Sequence, residues 1–240
     1  MSASHFILLI EHEASSSDAL ATNLVRLGVE PIRVTSLVEA AETVKSKQYA
    51  IRGVLLPSDL PGTAVKNAMK SMQRREPMLQ AMAYGKAPDS ARRGELQRAG
   101  VLLALWDGFD DGVLRFQINR LVTRDSEHAT RSSRRAPTHT PVRVIVGGRE
   151  KNGTLYSISE GGCFIETPRA SMEGAHLHLA FRLADVDYAL EGNVAFSNVP
   201  GNLQRPNLPL GMGVCFETMP NQARWQLADF IRERMEALEV

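Results

Sequence analysis

The chain has 240 residues, of which 43% are hydrophobic and 23% are charged. These shares are typical of globular proteins and exclude disorder, a collagen-like repeat or a coiled coil as a description of the whole chain. Since a domain typically uses roughly 150 residues, we expect two domains. The 28 basic and 27 acidic residues nearly cancel, so no global charge would draw the protein to nucleic acid or to an anionic membrane.

No apolar run approaches the ~18 residues that a membrane span requires, and the apolar stretch at residues 6–10 is too short for the core of a signal peptide. We therefore expect a cytoplasmic protein without membrane insertion. Cys163 and Cys215 lie outside any metal-ligand spacing, each in an apolar segment, which predicts two reduced core thiols. The sequence lacks nucleophile-elbow, phosphate-loop and zinc-protease motifs, so we expect no enzyme, no catalytic residues, no metal and no cofactor.

In the first half of the chain, apolar runs alternate with amphipathic helical patterns. Predicted strands lie at residues 6–10, 32–35, 53–56, 78–84 and 101–106, and predicted helices include 18–27, 36–46, 65–72 and 112–123. Ser36 and Glu39 form a capping-box pattern at the start of the second helix. Five strands that alternate with five helices predict an α/β domain with a five-stranded, parallel, doubly wound sheet. Its functional crevice is expected at the carboxyl ends of the strands.

The segment 124–135 reads RDSEHATRSSRR and has no large apolar residue, so it is predicted to be a linker. From Pro141 onward the pattern has period two, which is typical of half-buried antiparallel strands. Six strands are predicted, at 142–146, 154–159, 163–167, 176–183, 188–196 and 212–216. They predict a six-stranded antiparallel barrel. A closing helix from Asn221 to about Leu238 would pack across it through a stripe of Leu227, Ile231, Met235 and Leu238.

The order and length of the first elements resemble the receiver domain of two-component signalling, a flavodoxin-like fold, over about residues 5–123. Receivers hold Mg²⁺ with paired acidic residues after the first strand, where this sequence has Glu11, His12 and Glu13. The resemblance places Pro57 at the position of the phosphorylated Asp and Trp106 at the position of the conserved Lys. Proline cannot accept a phosphoryl group, so there is no phospho-acceptor, and the domain is interpreted as a pseudo-receiver that retains an interaction surface.

The stretches RRAPTHTPVRV, SISEGGCFIE and GMGVCF resemble the PilZ domain, a bacterial receptor module for cyclic-di-GMP, over about residues 134–236. PilZ domains bind this dinucleotide with an RxxxR stretch before the first strand and a (D/N)xSxxG turn. An alignment on Pro141 places His139 at the second Arg of RxxxR, whereas Arg131 and Arg135 form RxxxR further upstream. The resemblance implies a set of ligand-binding residues, namely Arg134, Arg135, His139, Ser157, Ser159 and Gly162.

The two resemblances imply a pseudo-receiver domain at residues 1–123, an Arg-rich linker at 124–138 and a PilZ-like domain at 139–240. They imply a non-enzymatic cyclic-di-GMP receptor that signals to a protein partner, with motility or surface polysaccharide as the output and a homodimer left open. The replacements at Pro57, Trp106, His139 and Ser157 favour the alternative, a nucleotide-independent protein adaptor. No aromatic platform accompanies the basic linker, so nucleic acid is not an expected partner.

His176 and His178 lie two residues apart on the polar face of a predicted strand, a spacing that metal ligands can use. The sequence shows no third ligand beside them. A solvated strand face is therefore the favoured interpretation of this pair.

Overall fold

The structure is a computed structural model that describes residues 5–11, 14–123, 133–205 and 208–240. It divides into two compact units, one formed by Met1–His128 together with Ala237–Val240 and the other by Ala129–Glu236. None of the helices in the described ranges is both long enough and apolar enough to cross a membrane.

The described part of the N-terminal unit contains a five-stranded parallel sheet with the order β2-β1-β3-β4-β5. Its strands are β1 (His5–Ile10), β2 (Val29–Val34), β3 (Ile51–Pro57), β4 (Gln80–Gly85) and β5 (Leu103–Trp106). Its helices are α1 (Ala14–Arg26), α2 (Leu37–Ser46), α3 (Gly62–Gln73), α4 (Ser90–Arg98) and α5 (Asp111–Val122). This order is the flavodoxin-like doubly wound topology, so the predicted fold class of this half is confirmed.

The continuous apolar runs follow from helices that cover both faces of this sheet. In β1, Ile7 and Leu9 belong to one core, whereas Leu8 and Ile10 belong to the core on the opposite face. Because successive side chains of a strand point to opposite faces, a strand covered on both sides must be apolar at every position.

Side-chain caps mark the starts of α2 and α4. The backbone N–H of Glu39 donates to the hydroxyl of Ser36, and the Glu39 carboxylate accepts from the N–H of Thr35 at 2.7 Å. The predicted capping box is therefore present. The sequence pattern did not locate α4, because only Leu96 of this helix is buried. The Asp89 side chain caps it by accepting from the N–H of Arg92 at 2.8 Å.

The last four residues, Ala237–Val240, complete the N-terminal unit by covering the edge of β5. The N–H of Ala104 donates to the carbonyl of Leu238 at 3.0 Å, and the N–H of Val240 donates to the carbonyl of Leu102 at 3.2 Å. Leu238 was predicted to lie on the stripe of the closing helix, and this prediction is wrong. Its side chain packs into the core of the N-terminal unit, because the tail supplies partners to an otherwise unpaired strand edge.

Side chains of α5 hold the C-terminal tail in place. The fully buried Gln117 amide donates both to the carbonyl of Ala104 at 2.6 Å and to that of Leu238 at 2.7 Å. Arg120 forms an ion pair of 3.1 Å with Glu239. The tail is therefore fixed by backbone pairing, by a buried amide and by a partly buried charge pair.

The described residues of the C-terminal unit form a closed antiparallel barrel of six strands with one short strand outside it. The strands are β6 (Ala136–Val146), β7 (Arg149–Ser159), β8 (Gly162–Glu166), β9 (His176–Leu183), β10 (Val186–Val199), β11 (Asn202–Leu203) and β12 (Gly211–Phe216). Their order is β11-β10-β12-β8-β7-β6-β9, and a further β10–β9 pairing closes the barrel. The predicted six-stranded barrel is confirmed, and closure leaves no unpaired edge within its wall.

Alternating side chains fill the barrel. Along β9, Leu177 and Leu179 are buried and the residues between them point outward, as the period-two pattern predicts. Phe181 stacks on Tyr188 of β10 with ring centroids 5.1 Å apart. The last helix, α6 (Asn221–Glu236), contacts β6 and β7 and buries a stripe of Leu227, Ile231 and Met235.

The first barrel strand starts earlier than its sequence pattern indicated. Ala136 pairs with Ile158 and Pro137 pairs with Ser157, although both residues lie in the predicted linker. The register of β6 against β7 shifts between Pro137 and Thr140, which interrupts the alternation of side chains. The period-two pattern is therefore visible only after this irregularity.

The two cysteines differ in their surroundings. Cys163 is buried in β8, as predicted, whereas Cys215 is exposed on β12. The prediction of a second core thiol is wrong because strand alternation directs the buried Val214, and not Cys215, toward the interior.

Candidate ligand-binding site

The carboxyl edge of the parallel sheet is the place where open α/β folds bind ligands. Pro57, the residue at the phospho-acceptor position, is the buried last residue of β3. The next residue, Ser58, donates its hydroxyl to the carbonyl of Lys86 at 2.7 Å and its N–H to the carbonyl of Tyr84 at 3.0 Å. The polar groups that follow β3 are thus bonded to neighbouring backbone.

Tyr84 occupies this edge. It lies in β4, and its hydroxyl donates at 2.7 Å to the carbonyl of Ile10 at the end of β1. Since β3 separates these two strands, the tyrosine side chain spans the end of β3. Burial, together with the negative charges of Glu11 and Asp59, raises the pKa of Tyr84 to about 12. The tyrosine was not identified from the sequence, where it is simply the last residue of an apolar run.

The residues at the ends of β1 and β5, at the same edge of the sheet, are also held by neighbouring side chains. Glu11 forms an ion pair with Arg33, which also binds Asp18 at 2.5 Å, whereas His12 and Glu13 lie outside the described residues. The guanidinium of Arg93 lies 5.4 Å from the ring centroid of Trp106, the last residue of β5. Trp106 is half-buried and packs against the core. Aromatic packing and an arginine thus occupy the edge that carries acidic residues and lysine in receivers.

In the C-terminal unit, the predicted binding turn is a tight hairpin. Ser159 pairs with Gly162, which leaves Glu160 and Gly161 as the connecting loop. The hydroxyl of Ser159 donates to the carbonyl of Gly162 at 3.0 Å and is only 2% exposed, while Ser157 is 3% exposed. Both serines predicted to bind ligand are therefore inside the barrel wall, and the loop residues are at the surface.

The glycine at position 162 is required by the neighbouring strand. A Cβ atom there would lie 2.2 Å from the carbonyl oxygen of Val214, so β8 can approach β12 only without a side chain at this position. The N–H of Phe216 donates to the carbonyl of Gly161 at 3.0 Å. The turn is thereby fixed to the end of β12.

Of the predicted basic residues, Arg135 lies at this turn. It precedes Ala136, which pairs with Ile158, so its register places it beside the end of β7. Burial raises the pKa of the Cys163 thiol to about 12, and the positive charge of Arg135 acts in the opposite direction, as expected of a neighbouring guanidinium. Arg134 is exposed and Arg135 is half-buried.

His139 is separate from this group. It lies four residues beyond Arg135, or roughly 13 Å along an extended strand. It is exposed at the register shift of β6, whereas its neighbour Thr138 donates its hydroxyl to the carbonyl of Leu155. The structure therefore brings Arg135 to the turn and places His139 elsewhere on the strand.

An open cavity of about 280 Å³ lies against the turn. Its lining consists of Ser133, Glu160, Gly161, Phe216, Glu217, Met219 and Arg224. Arg224, from the first turn of α6, lines the cavity together with the carboxylates of Glu160 and Glu217. Apart from Glu160 and Gly161 of the turn itself, the sequence analysis did not identify these residues, because the packing of α6 and the end of β12 brings them to the turn.

Comparison with known proteins places this barrel in a family. The profile for the PilZ domain matches residues 129–233. No curated protein sequence matches the chain.

Several solved structures are similar to this chain. The inhibitor of motility MotI/DgrA from Bacillus subtilis matches with 18% identity and a TM-score of 0.38, covering 45% of this chain and 52% of its own, so the chain spans about half the length of that protein. The PlzA protein of Borreliella burgdorferi in complex with c-di-GMP matches with 12% identity and a TM-score of 0.33, covering 45% of this chain and 43% of its own.

The chemotaxis protein CheY4 of Vibrio cholerae matches with 15% identity and a TM-score of 0.43, covering 50% of this chain and 99% of its own. The topology of the N-terminal unit, β2-β1-β3-β4-β5, is that of receiver domains. Residues 129–233 of this chain are therefore a PilZ domain, joined to an N-terminal unit with a receiver-like fold.

Proposed function

We propose that this protein is a non-enzymatic cytoplasmic receptor that binds cyclic-di-GMP through its PilZ domain and passes the signal to a protein partner. The observation that carries the proposal is the position of Arg135 beside a turn that borders an open cavity. Arg is suited to this ligand because its planar guanidinium pairs with a phosphate through two hydrogen bonds and stacks on a guanine ring.

The early start of β6 changes the assignment of the RxxxR motif. With Ala136 as the first residue of the strand, Arg131 and Arg135 form RxxxR directly before it. The alignment that used His139 depended on a strand that starts near Pro141. Arg131 lies outside the described residues. We assign the phosphate-binding role to Arg131 and Arg135, with Arg134 as an additional cation and no direct role for His139.

The acceptor for the guanine edge comes from the loop in this proposal. Ser157 is buried, and Ser159 uses its hydroxyl within the turn. Glu160 is exposed and lines the cavity, so its carboxylate can accept hydrogen bonds from N–H groups of guanine. Ser157, Ser159 and Gly162 then shape the turn, and Glu160 makes the contact that an Asp or Asn makes in the family motif.

Ligand binding would transmit a signal by fixing the RxxxR segment against the turn. Such ordering of a segment by new charge-assisted contacts is an established way to switch a signalling protein. Arg224 lines the same cavity, and the adjacent Trp225 is 74% exposed on α6. The surface around Trp225 is therefore our candidate for partner contact, and a partner in motility or surface polysaccharide control fits the family.

The second candidate function is a nucleotide-independent protein adaptor. It is favoured by the two carboxylates, Glu160 and Glu217, that line the cavity and would repel phosphates. The burial of both serines points in the same direction.

Titration calorimetry with cyclic-di-GMP distinguishes the two candidates, with GTP as a control ligand. The receptor should bind cyclic-di-GMP, and Arg135→Ala should weaken binding about tenfold to a hundredfold through the loss of charge-assisted hydrogen bonds. Arg143→Ala is the matched control, because Arg143 is an exposed arginine of β6, the strand that follows Arg135, and it pairs with Glu150 at 3.7 Å. Absence of binding by the wild-type protein would support the adaptor.

A further inference from the structure

The outer face of the barrel carries a cluster of imidazole and carboxylate groups on β9, on β10 and after β12. His176 and His178 lie on β9, Glu191 lies on β10, and Glu217 follows β12. The register pairs His178 directly with Glu191 and His176 with Asn193. Only the two histidines could be recognised as a pair in the sequence. The fold brings Glu191 from β10 and Glu217 from the end of β12 next to them.

The distances in this cluster match those of a metal-ligand set. His176 Nε2 lies 3.5 Å from Glu217 Oε1 and 3.9 Å from Glu191 Oε2. One ligand atom from each of these three residues lies within 4.8 Å of the others. Ligand atoms around a tetrahedral Zn²⁺ lie about 3.4 Å apart, given bonds of about 2.0 to 2.1 Å. Small side-chain rotations would bring the three atoms to this spacing.

The backbone and neighbouring side chains hold the carboxylates in place. The N–H of Glu217 donates to the carbonyl of Glu191 at 3.0 Å, and the Asn193 amide donates to Glu217 Oε1 at 2.8 Å. His178 Nδ1 lies 3.3 Å from Glu191 Oε1, the carboxylate oxygen that does not face His176. Such outer contacts orient metal ligands and are themselves important for metal affinity.

We propose that His176, Glu191 and Glu217 form a binding site for a divalent transition metal, with Zn²⁺ as the best match, and that His178 positions Glu191. Imidazole together with carboxylate favours Zn²⁺ over Ca²⁺ or Mg²⁺, which prefer oxygen ligands alone. Three protein ligands leave a fourth position for water or for a group from a partner. Metal binding here does not require the proposed function to be correct, although one ligand, Glu217, also lines the cavity beside the turn.

Calorimetric titration of the full chain with ZnCl₂, after removal of any polyhistidine tag, tests this site. The wild type should bind one Zn²⁺ per chain. Glu191→Gln and His176→Ala should each lower the affinity by more than about tenfold, and His178→Ala by about tenfold. Glu191→Gln is more informative than a Glu217 variant, because Glu217 also lines the cavity beside the turn. The matched control Glu150→Gln alters an exposed carboxylate of β7 and should bind Zn²⁺ like the wild type.

Three results would overturn the proposal. The first is the absence of saturable Zn²⁺ binding by the wild type, and the second is binding by Glu191→Gln and His176→Ala that equals that of the wild type. The third is loss of binding in Cys215→Ser with retention in His176→Ala, which would assign the metal to the exposed thiol on β12. The visible spectrum of the Co²⁺-substituted protein separates nitrogen and oxygen coordination from thiolate coordination, and thermal melting without metal checks that each variant is folded.

Discussion

At the carboxyl edge of the N-terminal sheet, Tyr84, Trp106 and Pro57 occupy the place where a receiver would bind metal and phosphate, whereas the turn of the PilZ domain borders an open cavity of about 280 Å³. In the first case a buried hydroxyl bonds to backbone and an aromatic ring packs against the core. In the second, charged groups from three segments face the same open space. In the N-terminal unit the carboxyl ends of the strands are covered by packed side chains. In the PilZ domain the space beside the turn is open to solvent.

Loss of a family's reactive residues can thus be distinguished from closure of the place where they would act. In the N-terminal unit, Pro57 replaces the phospho-acceptor, and Tyr84 and Trp106 pack at the same edge. An aspartate at position 57 alone would therefore not restore a phosphorylation site. In the PilZ domain Ser157, which replaces an Asp or Asn of the motif, is buried in the barrel wall, and an open cavity lies against the turn that follows it. Departures from a family motif therefore have different consequences in the two units.

The largest effect is expected from deletion of residues 237–240, which tests whether the N-terminal unit is complete without the tail. Leu238 and Val240 are each 6% exposed, and burial of such side chains contributes about 1.5 to 3 kcal/mol each. The free energy of unfolding of this unit should fall by at least about 3 kcal/mol. Urea denaturation should show an earlier transition for the N-terminal unit and an unchanged one for the barrel. Glu236→Ala is the control, and an unchanged first transition would contradict the assigned role of the tail.

A smaller effect is expected from Arg131→Ala, which sharpens the assignment of the open site. Loss of one charge-assisted phosphate contact should weaken cyclic-di-GMP binding by about tenfold or more, or roughly 1.5 to 3 kcal/mol. His139→Ala should leave the affinity unchanged, and the wild-type affinity should be equal at about pH 6 and about pH 8, where a histidine contact would lose its charge. Stronger binding at the lower pH, abolished by His139→Ala, would restore the first alignment.

Tyr84→Phe tests the packing of the closed edge. Loss of the buried hydroxyl that donates to Ile10 should lower the free energy of unfolding by about 1 kcal/mol at neutral pH. Because the pKa is raised from 10.0 to about 12 in the folded protein, the contribution of this group is fully present below pH 10 and is lost as the pH rises toward 12. Denaturation across this range should show a steeper decline for the wild type than for Tyr84→Phe.

The smallest effect is expected from Pro57→Asp. A carboxylate at this position should remain unphosphorylated by a small-molecule phosphodonor, because Tyr84 and Trp106 keep the edge filled and Glu11 is paired with Arg33. Intact-mass spectrometry measures the result, with an active receiver domain as the positive control. Formation of an acyl phosphate would show that the edge is open and would remove the contrast between the two units.

The parts of the fold that sequence analysis predicted are those with a strong local signal. Residues 6–10 of β1 are all apolar because both faces of the strand are covered, and β9 alternates because only one of its faces is covered. The capping box of Ser36 and Glu39 is also local. Each of these signals is contained within a few consecutive residues, so the barrel and the doubly wound sheet could both be predicted.

The parts that could not be predicted depend on contacts between distant segments. Leu238 continues the apolar spacing of α6, yet its side chain packs in the other unit because the edge of β5 needs a partner. The register shift in β6 concealed the position of Arg135 at the turn. Arg224 and Glu217 reach the cavity through the packing of α6 and the end of β12. No local pattern encodes these juxtapositions.

The position of Ala237–Val240 in the N-terminal unit also has a consequence for protein synthesis. About a hundred residues separate the helical end of that unit from the segment that covers β5, and translation at 5 to 20 residues per second takes about 5 to 20 seconds to add them. During this interval the edge of β5 lacks its final partner, and an unpaired strand edge can recruit other strands. The N-terminal unit, although encoded first, therefore cannot reach its complete fold until the ribosome has also synthesised the whole PilZ domain.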